Sequence, residues 1–299
     1  MSDIRRVGVV GAGLMGSGIA EVCARAGLDV VVREVTDSAA RAGSRRVAAL
    51  LDRGVVKGKI TEAVRDEALL RLTFTTVLED LADADLIVEA VAEDEHAKVQ
   101  IFQELDKVVR REDAILATNT SSIPVMKLAM ATERPQQVIG IHFFNPVPVL
   151  PLVELVPSLL SSEGTKDRAQ RFAEDVLGKQ AILAPDRAGF VVNALLVPYL
   201  LSAIRMLESG FAAAEDIDSG MVLGCAHPMG PLRLADLIGL DTVLAIAESL
   251  YEEFKEPFYS PPPLLRRMVD AGLLGTKSGR GFRANASLVT TVGDLADEE

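Results

Sequence analysis

Cysteine and histidine are scarce in this sequence, with two and three copies among 299 residues. Cys23 and Cys225 lie far apart in apolar segments, so they form neither a disulfide framework nor the close spacing of metal ligands. We therefore predict no metal site and expect a protein of the reducing cytoplasm. The sequence also lacks internal repeats and low-complexity tracts, apart from an acidic segment at residues 294–299.

An apolar run that could span a bilayer is also lacking. The most apolar window, residues 190–207, is interrupted by Asn193, Pro198, Ser202 and Arg205, and it falls short of the roughly 20 clean residues required. We interpret this window as a buried helix. A strand-like run begins within about five residues of the N-terminus, so we expect no signal peptide.

Positive charge is in deficit, with 31 Lys and Arg against 43 Asp and Glu and a net charge of -12. This balance disfavours binding to nucleic acid or to an anionic membrane by general attraction. Residues 41–59, here called the basic segment, are an exception because a single acid, Asp52, accompanies six basic residues: Arg41, Arg45, Arg46, Arg53, Lys57 and Lys59. The segment is a candidate site for a phosphorylated ligand, and the alternative is a solvated helix face.

Strand-like and helical patterns alternate through the first two-thirds of the chain. Strand-like runs occur at residues 6–10, 29–32, 85–90, 114–118 and 138–143, and helical patterns at 14–26, 61–70 and 95–109 as well as in the basic segment. This alternation predicts a parallel sheet with helices on both faces. Beyond residue 186 helical periodicity dominates, in windows 190–209, 214–223, 232–254 and 262–271. We therefore predict an α/β domain at residues 1–186 and an all-helical C-terminal domain at 187–299.

A G-x-G-x-x-G motif directly follows the first strand and opens the first helix. It reads Gly11-Ala12-Gly13-Leu14-Met15-Gly16, and we call it the glycine motif. In this context Gly11 permits a tight turn, Gly13 lets a pyrophosphate approach the backbone, and Gly16 lets helix and strand pack closely. The phosphates of the ligand lie at the helix N-terminus, where N–H groups and the helix dipole favour negative charge. The motif predicts a Rossmann-type dinucleotide-binding domain, with Leu14 and Met15 also at the cofactor.

Glu34 lies 18 residues after Gly16, at the end of the second strand. A carboxylate there accepts hydrogen bonds from the adenosine ribose and repels a 2′-phosphate, so NAD is favoured over NADP. The neighbouring Arg33 is the usual partner of that phosphate and leaves the strictness of the preference open.

His142 and Glu154 are the candidate acid–base residues. His142 ends an apolar strand, and ligands of parallel sheets collect at the carboxyl ends of the strands. A hydride leaves a secondary alcohol only if the hydroxyl proton is also removed, and histidine titrates near neutral pH. Glu154 is flanked by apolar residues and needs a partner. Pairing would orient the ring and stabilise its cation; the alternative is a satisfied core histidine.

Several motifs together resemble the L-3-hydroxyacyl-CoA dehydrogenase family, particularly its bacterial 3-hydroxybutyryl-CoA dehydrogenases. They are the glycine motif, Asn119-Thr120-Ser121-Ser122, His142-Phe143-Phe144-Asn145-Pro146-Val147-Pro148, Glu154, and Gly189-Phe190-Val191-Val192-Asn193. The resemblance covers residues from about 6 to 282, nearly the whole chain. The combination is far more specific than any one of these motifs.

The resemblance implies an NAD-dependent oxidoreductase of fatty acid metabolism, which transfers a hydride between NAD and C3 of a short-chain 3-hydroxyacyl-CoA or 3-ketoacyl-CoA. It implies that His142 is the general base and Glu154 its orienting partner. Ser121 and Asn193 would hydrogen-bond the 3-oxygen and carbonyl region of the substrate. Lys57, in the basic segment, matches a position that contacts the CoA phosphates. The family positions near the cofactor match Glu93, Lys98, Asn119, Ser121, Asn145 and Lys277.

The family also dimerises through its helical domain, which implies a homodimer and makes the apolar window 190–207 a candidate surface. The sequence departs from the family pattern at Leu50, Ala194 and Arg283, which puts substrate positioning in doubt rather than the chemistry. One alternative is a sugar-acid dehydrogenase of the gulonate type on the same fold, which would have no use for the basic segment. A non-enzymatic, crystallin-like protein is another, and it would not need the pair of His142 and Glu154.

Overall fold

A computed structural model describes residues 3–283 of the chain. The acidic segment at 294–299 lies outside the described residues. The chain divides into two compact units, Met1–Asp186 and Arg187–Glu299. Each unit has its own hydrophobic core.

The first unit is an eight-stranded sheet flanked by helices. Its strands are β1 (Arg6–Val10), β2 (Asp29–Arg33), β3 (Leu72–Thr75), β4 (Leu86–Glu89), β5 (Ile115–Thr118), β6 (Val138–Phe143), β7 (Leu152–Pro157) and β8 (Gln180–Leu183). Its α-helices are α1 (Leu14–Arg25), α2 (Asp37–Val56), α3 (Glu62–Leu70), α4 (Glu95–Val108), α5 (Val125–Ala129) and α6 (Glu163–Arg171). The strand order is β3-β2-β1-β4-β5-β6-β7-β8. This is the arrangement expected of a Rossmann-type domain.

The central strands are near-continuous apolar runs because helices cover both faces of a parallel sheet. All residues of β4, β5 and β6 are buried. Side-chain caps start several of the covering helices: Thr36 accepts a hydrogen bond from the N–H of Ala39 at α2, and Asp94 from that of Ala97 at α4. These caps satisfy N–H groups that have no partner within the helix.

One strand pair departs from the predicted parallel sheet. β7 runs antiparallel to β6, whereas the other neighbouring strands pair in parallel. The connection at residues 144–151 is too short for a parallel crossover, which needs a dozen or more residues. The start of β7 therefore lies beside the carboxyl end of β6. The four-residue strands β3 and β8 carry partly exposed residues and were not predicted from their patterns.

The second unit is helical, with α7 (Val192–Glu208), α8 (Ala214–Cys225), α9 (Pro231–Ile238), α10 (Leu240–Phe254) and α11 (Pro263–Asp270). The helical window 232–254 contains two helices, because Gly239 has φ +102° and separates α9 from α10. The window 190–207 forms most of α7. Leu200, Leu201 and Ile204 pack in the core, but Leu195 is 74% exposed, so the helix is buried on one side only.

None of the helices within residues 3–283 has both the length and the hydrophobicity that crossing a membrane requires.

Candidate active site

The glycine motif forms the turn between β1 and α1. Gly11 has φ +93°, and its N–H donates to the carbonyl oxygen of Arg33 at 2.9 Å. A Cβ on Gly16 would stand 1.8 Å from the carbonyl oxygen of Gly11, so only glycine allows this close packing. A Cβ on Gly13 would meet no atom of the described residues within 4 Å. The fold itself therefore requires glycine at position 16 but not at 13, as expected if a ligand approaches Gly13.

Glu34 follows β2 directly, and its side chain contacts the backbone of the glycine motif. Its Oε1 accepts a hydrogen bond from the N–H of Ala12 at 2.6 Å. The Arg46 guanidinium of α2 donates to the carbonyl oxygen of the same Ala12. The carboxylate thus stands at the carboxyl edge of the sheet beside the N-terminus of α1, where a ribose attached to a bound pyrophosphate would be placed.

His142 and Glu154 are directly opposite each other in the β6–β7 register. The His142 Nδ1 and the Glu154 Oε2 are 2.7 Å apart. His142 is 6% exposed and Glu154 is fully buried, so the carboxylate contacts the ring from the interior of the protein. The Phe144 ring packs edge-on against the imidazole, with 4.6 Å between the centroids. The antiparallel pairing of β7 therefore joins the two residues proposed as the acid–base pair.

Glu93 accepts several hydrogen bonds from residues 120–122, the loop that follows β5. One of its oxygens, Oε1, accepts hydrogen bonds from the N–H groups of Ser121 and Ser122 at 2.9 and 3.0 Å and from the Thr120 hydroxyl. Burial raises the pKa of the Glu93 carboxyl, but the Lys98 ammonium and these hydrogen bonds outweigh it and hold that pKa below its usual value. Glu93 is thereby kept ionised and fixes the backbone of Ser121.

Lys98 lies beneath Glu93 and is 1% exposed. Its ammonium donates to Glu89 Oε1 at 2.6 Å and lies 3.3 Å from Glu93 Oε2. Glu89 is fully buried and also accepts a hydrogen bond from the Thr118 hydroxyl at 2.7 Å. Sequence reasoning missed Glu89, although a carboxylate ending the apolar run of β4 was a signal. Lys98 thus contacts two carboxylates of the protein, and its predicted role at the cofactor would act through Glu93.

Asn119 links the ends of two strands, because its Oδ1 accepts a hydrogen bond from the N–H of Phe143 at 2.9 Å. Asn145 is exposed and precedes a cis peptide bond to Pro146. Four predicted site residues lie at the same edge of the sheet, each at or after the carboxyl end of a parallel strand: Glu34, Glu93, Ser121 and His142.

Three further predicted site residues are Lys57 in the first unit and Asn193 and Lys277 in the second. Lys57 is exposed at the C-terminal end of α2. In the second unit Asn193 is in the first turn of α7, and Lys277 donates to both carboxylate oxygens of Asp241 at 2.9 and 3.1 Å. Their roles at cofactor or substrate stay predictions. No group of His, Cys, Asp and Glu side chains suited to hold a metal ion occurs in the part of the chain that the structure describes.

Two family models match successive parts of the chain. The model of the 3-hydroxyacyl-CoA dehydrogenase NAD binding domain matches residues 6–187, and that of the 3-hydroxyacyl-CoA dehydrogenase C-terminal domain matches residues 189–285. A 3-hydroxybutyryl-CoA dehydrogenase of Mycobacterium tuberculosis is 63% identical over 283 residues, which cover 94% of this chain and 99% of that protein.

Solved structures agree with these matches. The crystal structure of M. tuberculosis FadB2 has a TM-score of 0.94 and 62% identity, and the match covers 95% of this chain and 99% of that one. The crystal structure of the (S)-3-hydroxybutyryl-CoA dehydrogenase PaaH1 from Ralstonia eutropha has a TM-score of 0.90 and 48% identity over 95% of this chain and 100% of that one.

Proposed function

The chain belongs to the 3-hydroxyacyl-CoA dehydrogenase family, and on that premise we propose that it interconverts 3-hydroxybutyryl-CoA and acetoacetyl-CoA. It is an oxidoreductase that uses NAD. The short-chain substrate is supported by the names of the relatives that are 63% and 48% identical. The single observation that carries the chemistry is the 2.7 Å contact between His142 and Glu154 at the carboxyl edge of the sheet.

The proton step is assigned to His142. With Nδ1 bonded to the Glu154 carboxylate, proton exchange with the substrate would go through Nε2. As general base, His142 takes the proton of the 3-hydroxyl group, and in the reverse direction it returns that proton to the 3-oxygen. Glu154 orients the ring and offsets the charge of the imidazolium. Ser121 would hydrogen-bond the 3-oxygen, and Glu93 holds the backbone of Ser121 for that purpose.

NAD would be held by the glycine motif, the N-terminus of α1 and Glu34. The open space over Gly13 and the position of the Glu34 carboxylate fit a dinucleotide. When bound, NAD supplies the hydride acceptor of the reaction, and NADH the donor of its reverse. Because the carboxylate repels a 2′-phosphate, we expect kcat/KM to be clearly higher with NADH than with NADPH. Comparable values would point to Arg33 as a phosphate partner.

The basic segment is proposed to bind the CoA phosphates through Lys57. Exposed positions of α2 carry several of its cations, including Arg41 and Arg45. If Lys57 binds a part of the substrate remote from C3, Lys57→Ala raises the KM for acetoacetyl-CoA and leaves kcat nearly unchanged. Lys166→Ala, which removes a lysine paired with Glu163 on α6, is the control and should change neither constant. A fall in kcat at unaltered KM contradicts a phosphate-binding role.

Steady-state kinetics test the proposed function as a whole. The purified protein is assayed with NADH and acetoacetyl-CoA, with NADH and longer 3-ketoacyl-CoAs, and with NAD and free gulonate. We expect the highest kcat/KM for the four-carbon substrate. A preference for gulonate would instead assign the chain to sugar-acid oxidation, and no turnover with any of them would favour the non-enzymatic alternative.

We infer a homodimer that uses the exposed side of α7 in the second unit, where the apolar side chains of Leu195 and Met206 are 74% and 41% exposed. Large exposed apolar side chains on one helix favour a protein interface. The cytoplasm is the proposed location, because Cys23 and Cys225 are both unpaired and no disulfide is needed for stability.

A further inference from the structure

Lys179 is a buried lysine that bonds to the connection between β6 and β7. It is 9% exposed, and its ammonium donates to the carbonyl oxygens of Val147 and Leu150, each at 2.8 Å. Both carbonyls belong to residues 144–151, the segment that joins the strand of His142 to the strand of Glu154. We call this segment the hairpin connection.

The hairpin connection has few donors of its own for these two carbonyls. Pro148 and Pro151 follow the bonded residues, and proline has no N–H to donate. The N–H groups of Val149 and Leu150 both donate to the carbonyl oxygen of Pro146. Because a buried carbonyl without a partner is costly, the donors come from Lys179, which immediately precedes β8.

The hairpin connection also packs on the helix that begins at the glycine motif. A Cβ on Gly18 of α1 would stand 2.9 Å from the Cβ of Val147, so Val147 lies against the backbone of that helix. Val147 is 2% exposed and belongs to the core of the first unit. Its backbone is therefore fixed on one side by α1 and on the other by Lys179. Asn145, which the family resemblance assigns to the cofactor, is two residues away.

Protein stability alone does not explain why a lysine is buried at position 179. Burial lowers the pKa of Lys179, and the negative charge of Glu21 on α1 opposes that effect. Glu21 is itself 2% exposed and forms an ion pair with Arg25, in which Glu21 Oε1 and Arg25 Nη1 are 2.9 Å apart. A buried ion pair is often no more stabilising than well-packed apolar residues of similar volume in place of both partners, so stability by itself does not require charges at this position. Burying the Lys179 ammonium has a desolvation cost. In return, the ammonium fixes the positions of the Val147 and Leu150 carbonyl groups.

We propose that Lys179 is a positioning residue for the dehydrogenase reaction, which holds the hairpin connection against α1 so that His142 and Asn145 keep their places. The inference rests on the proposed function, because it assigns Lys179 to the same reaction. Lys179 acts through the backbone of Val147 and Leu150 rather than on the reacting atoms.

Lys179→Met tests the role because methionine has an unbranched side chain only slightly shorter than that of lysine and has no hydrogen-bond donor. We expect kcat for acetoacetyl-CoA reduction to fall at least about 10-fold, since small misplacements of reacting groups are costly. The dissociation constant of NADH, followed by its fluorescence, should change less than about threefold, because the glycine motif and Glu34 are untouched and Asn145 is only one of the predicted cofactor contacts. Lys179→Arg keeps the cation and its donors and should recover part of the lost kcat.

Two controls separate positioning from general destabilisation. Lys166→Met makes the same substitution in the ion pair with Glu163 and should leave kcat unchanged. Phe172→Leu alters the core of the first unit and serves as a variant that is destabilised by lost packing while Lys179 keeps its contacts. If Lys179→Met does not accumulate as folded protein, Lys179→Gln replaces it, with the same expected loss of kcat.

The outcomes are distinct. A kcat of Lys179→Met equal to that of the native protein overturns the inference, and so does an equal loss of kcat in Phe172→Leu. In both cases the native protein is active, and the proposed function stands. A native protein that binds NADH and does not reduce acetoacetyl-CoA refutes the proposed function itself.

Discussion

The imidazole of His142 and the carboxylate of Glu154 are in contact because two strands place them opposite each other. A fully buried carboxylate 2.7 Å from a ring nitrogen can do two things for catalysis. It selects the orientation of the ring, and it stabilises the positive charge that forms when the ring accepts a proton. Both effects belong to the charge of Glu154 rather than to its size, which makes them separable by substitution.

Glu154→Gln keeps the packing and removes the charge. We expect kcat to fall on the order of 10²-fold, with acyl-CoA binding largely retained, because the lost interaction is strongest in the transition state. Steady-state kinetics and NADH fluorescence titration measure the two effects. Near-native turnover would return His142 and Glu154 to the role of a satisfied buried pair.

The double variant of His142→Gln and Glu154→Gln distinguishes a unit from two independent contributors. If the residues act together, the double variant has nearly the kcat of the poorer single variant. If their losses multiply, each contributes alone and the pairing has no catalytic meaning. Thermal melting of all three variants provides the control for folding.

Glu93 links stability to pH. Its pKa in the folded protein is lowered, so its contribution to stability is present above the unfolded value of 4.5 and is lost as the pH falls through the lower folded value. We expect Glu93→Gln to lower the free energy of unfolding by about 2 kcal/mol at pH 7, as for hydrogen bonds to charged groups. The difference from the native protein should shrink as the pH falls below 4.5.

Urea denaturation at neutral and acidic pH measures this effect. Glu95→Gln, which removes a carboxylate from the exposed ion pair with Lys127, is the matched control and should cost less than about 1 kcal/mol. A Glu93→Gln difference that grows on acidification would have the wrong sign and would contradict the lowered pKa.

At the scale of elements, the turn from β1 to α1 separates what the fold needs from what the cofactor needs. Gly16 is required by the protein, since its Cβ would overlap the carbonyl of Gly11. Gly13 has φ -65° and no described neighbour within 4 Å of its Cβ position, so alanine fits the fold there. The two positions are therefore a matched pair in one motif.

Gly13→Ala should leave the melting temperature nearly unchanged and weaken NADH binding at least about 10-fold, because its methyl group occupies the path of the pyrophosphate. Gly16→Ala should lower the melting temperature as well, since α1 must move away from the turn. Differential scanning fluorimetry and NADH titration give the two readouts. Unaltered NADH binding by Gly13→Ala would contradict the assignment of the motif.

The connection from β4 to α4 depends on a buried ion pair. Lys98→Met leaves Glu89 as a buried charge without its cation, and we expect a loss of about 3–5 kcal/mol in unfolding free energy. Lys127→Met breaks an ion pair whose side chains are about half exposed, and it should cost about 0–1 kcal/mol. Urea denaturation compares the two directly. Equal losses of unfolding free energy would show that the buried Lys98–Glu89 pair contributes no more to stability than an exposed ion pair.

At the scale of the whole molecule, the proposed homodimer has twice the protomer mass of 32.0 kDa. Leu195→Asp places a charge on the exposed side of α7 and should raise the dimer dissociation constant at least about 10-fold, because an unpaired charge would be buried at the interface. Leu159→Asp changes a more exposed leucine of the first unit, 92% exposed, and should leave the dimer dissociation constant unchanged. Sedimentation velocity measures both, and a native monomer at micromolar concentration would refute the dimer.

The sequence by itself determined the features that are written locally. The glycine motif after an apolar run predicts a strand, a turn and a helix N-terminus, because each glycine meets a steric requirement within a few residues. The predicted Rossmann-type fold with a helical second part, the NAD cofactor and the family are confirmed. The roles of His142, Glu154 and the other site residues stay predictions, although their residue types and strand-end positions were readable from the sequence.

Only the tertiary structure decided which groups meet across the sheet. The antiparallel β7 places Glu154 opposite His142. The apolar run of β7 alone does not distinguish it from a parallel strand, and the short connection at residues 144–151 does so only once β6 and β7 are known to pair. The contacts of Lys98 with Glu89 and of Lys179 with Val147 and Leu150 join residues 9 to 32 positions apart. A lysine in a sequence reads as a surface residue. Whether its ammonium is instead buried depends on the partners that the packed sheet and helices bring to it.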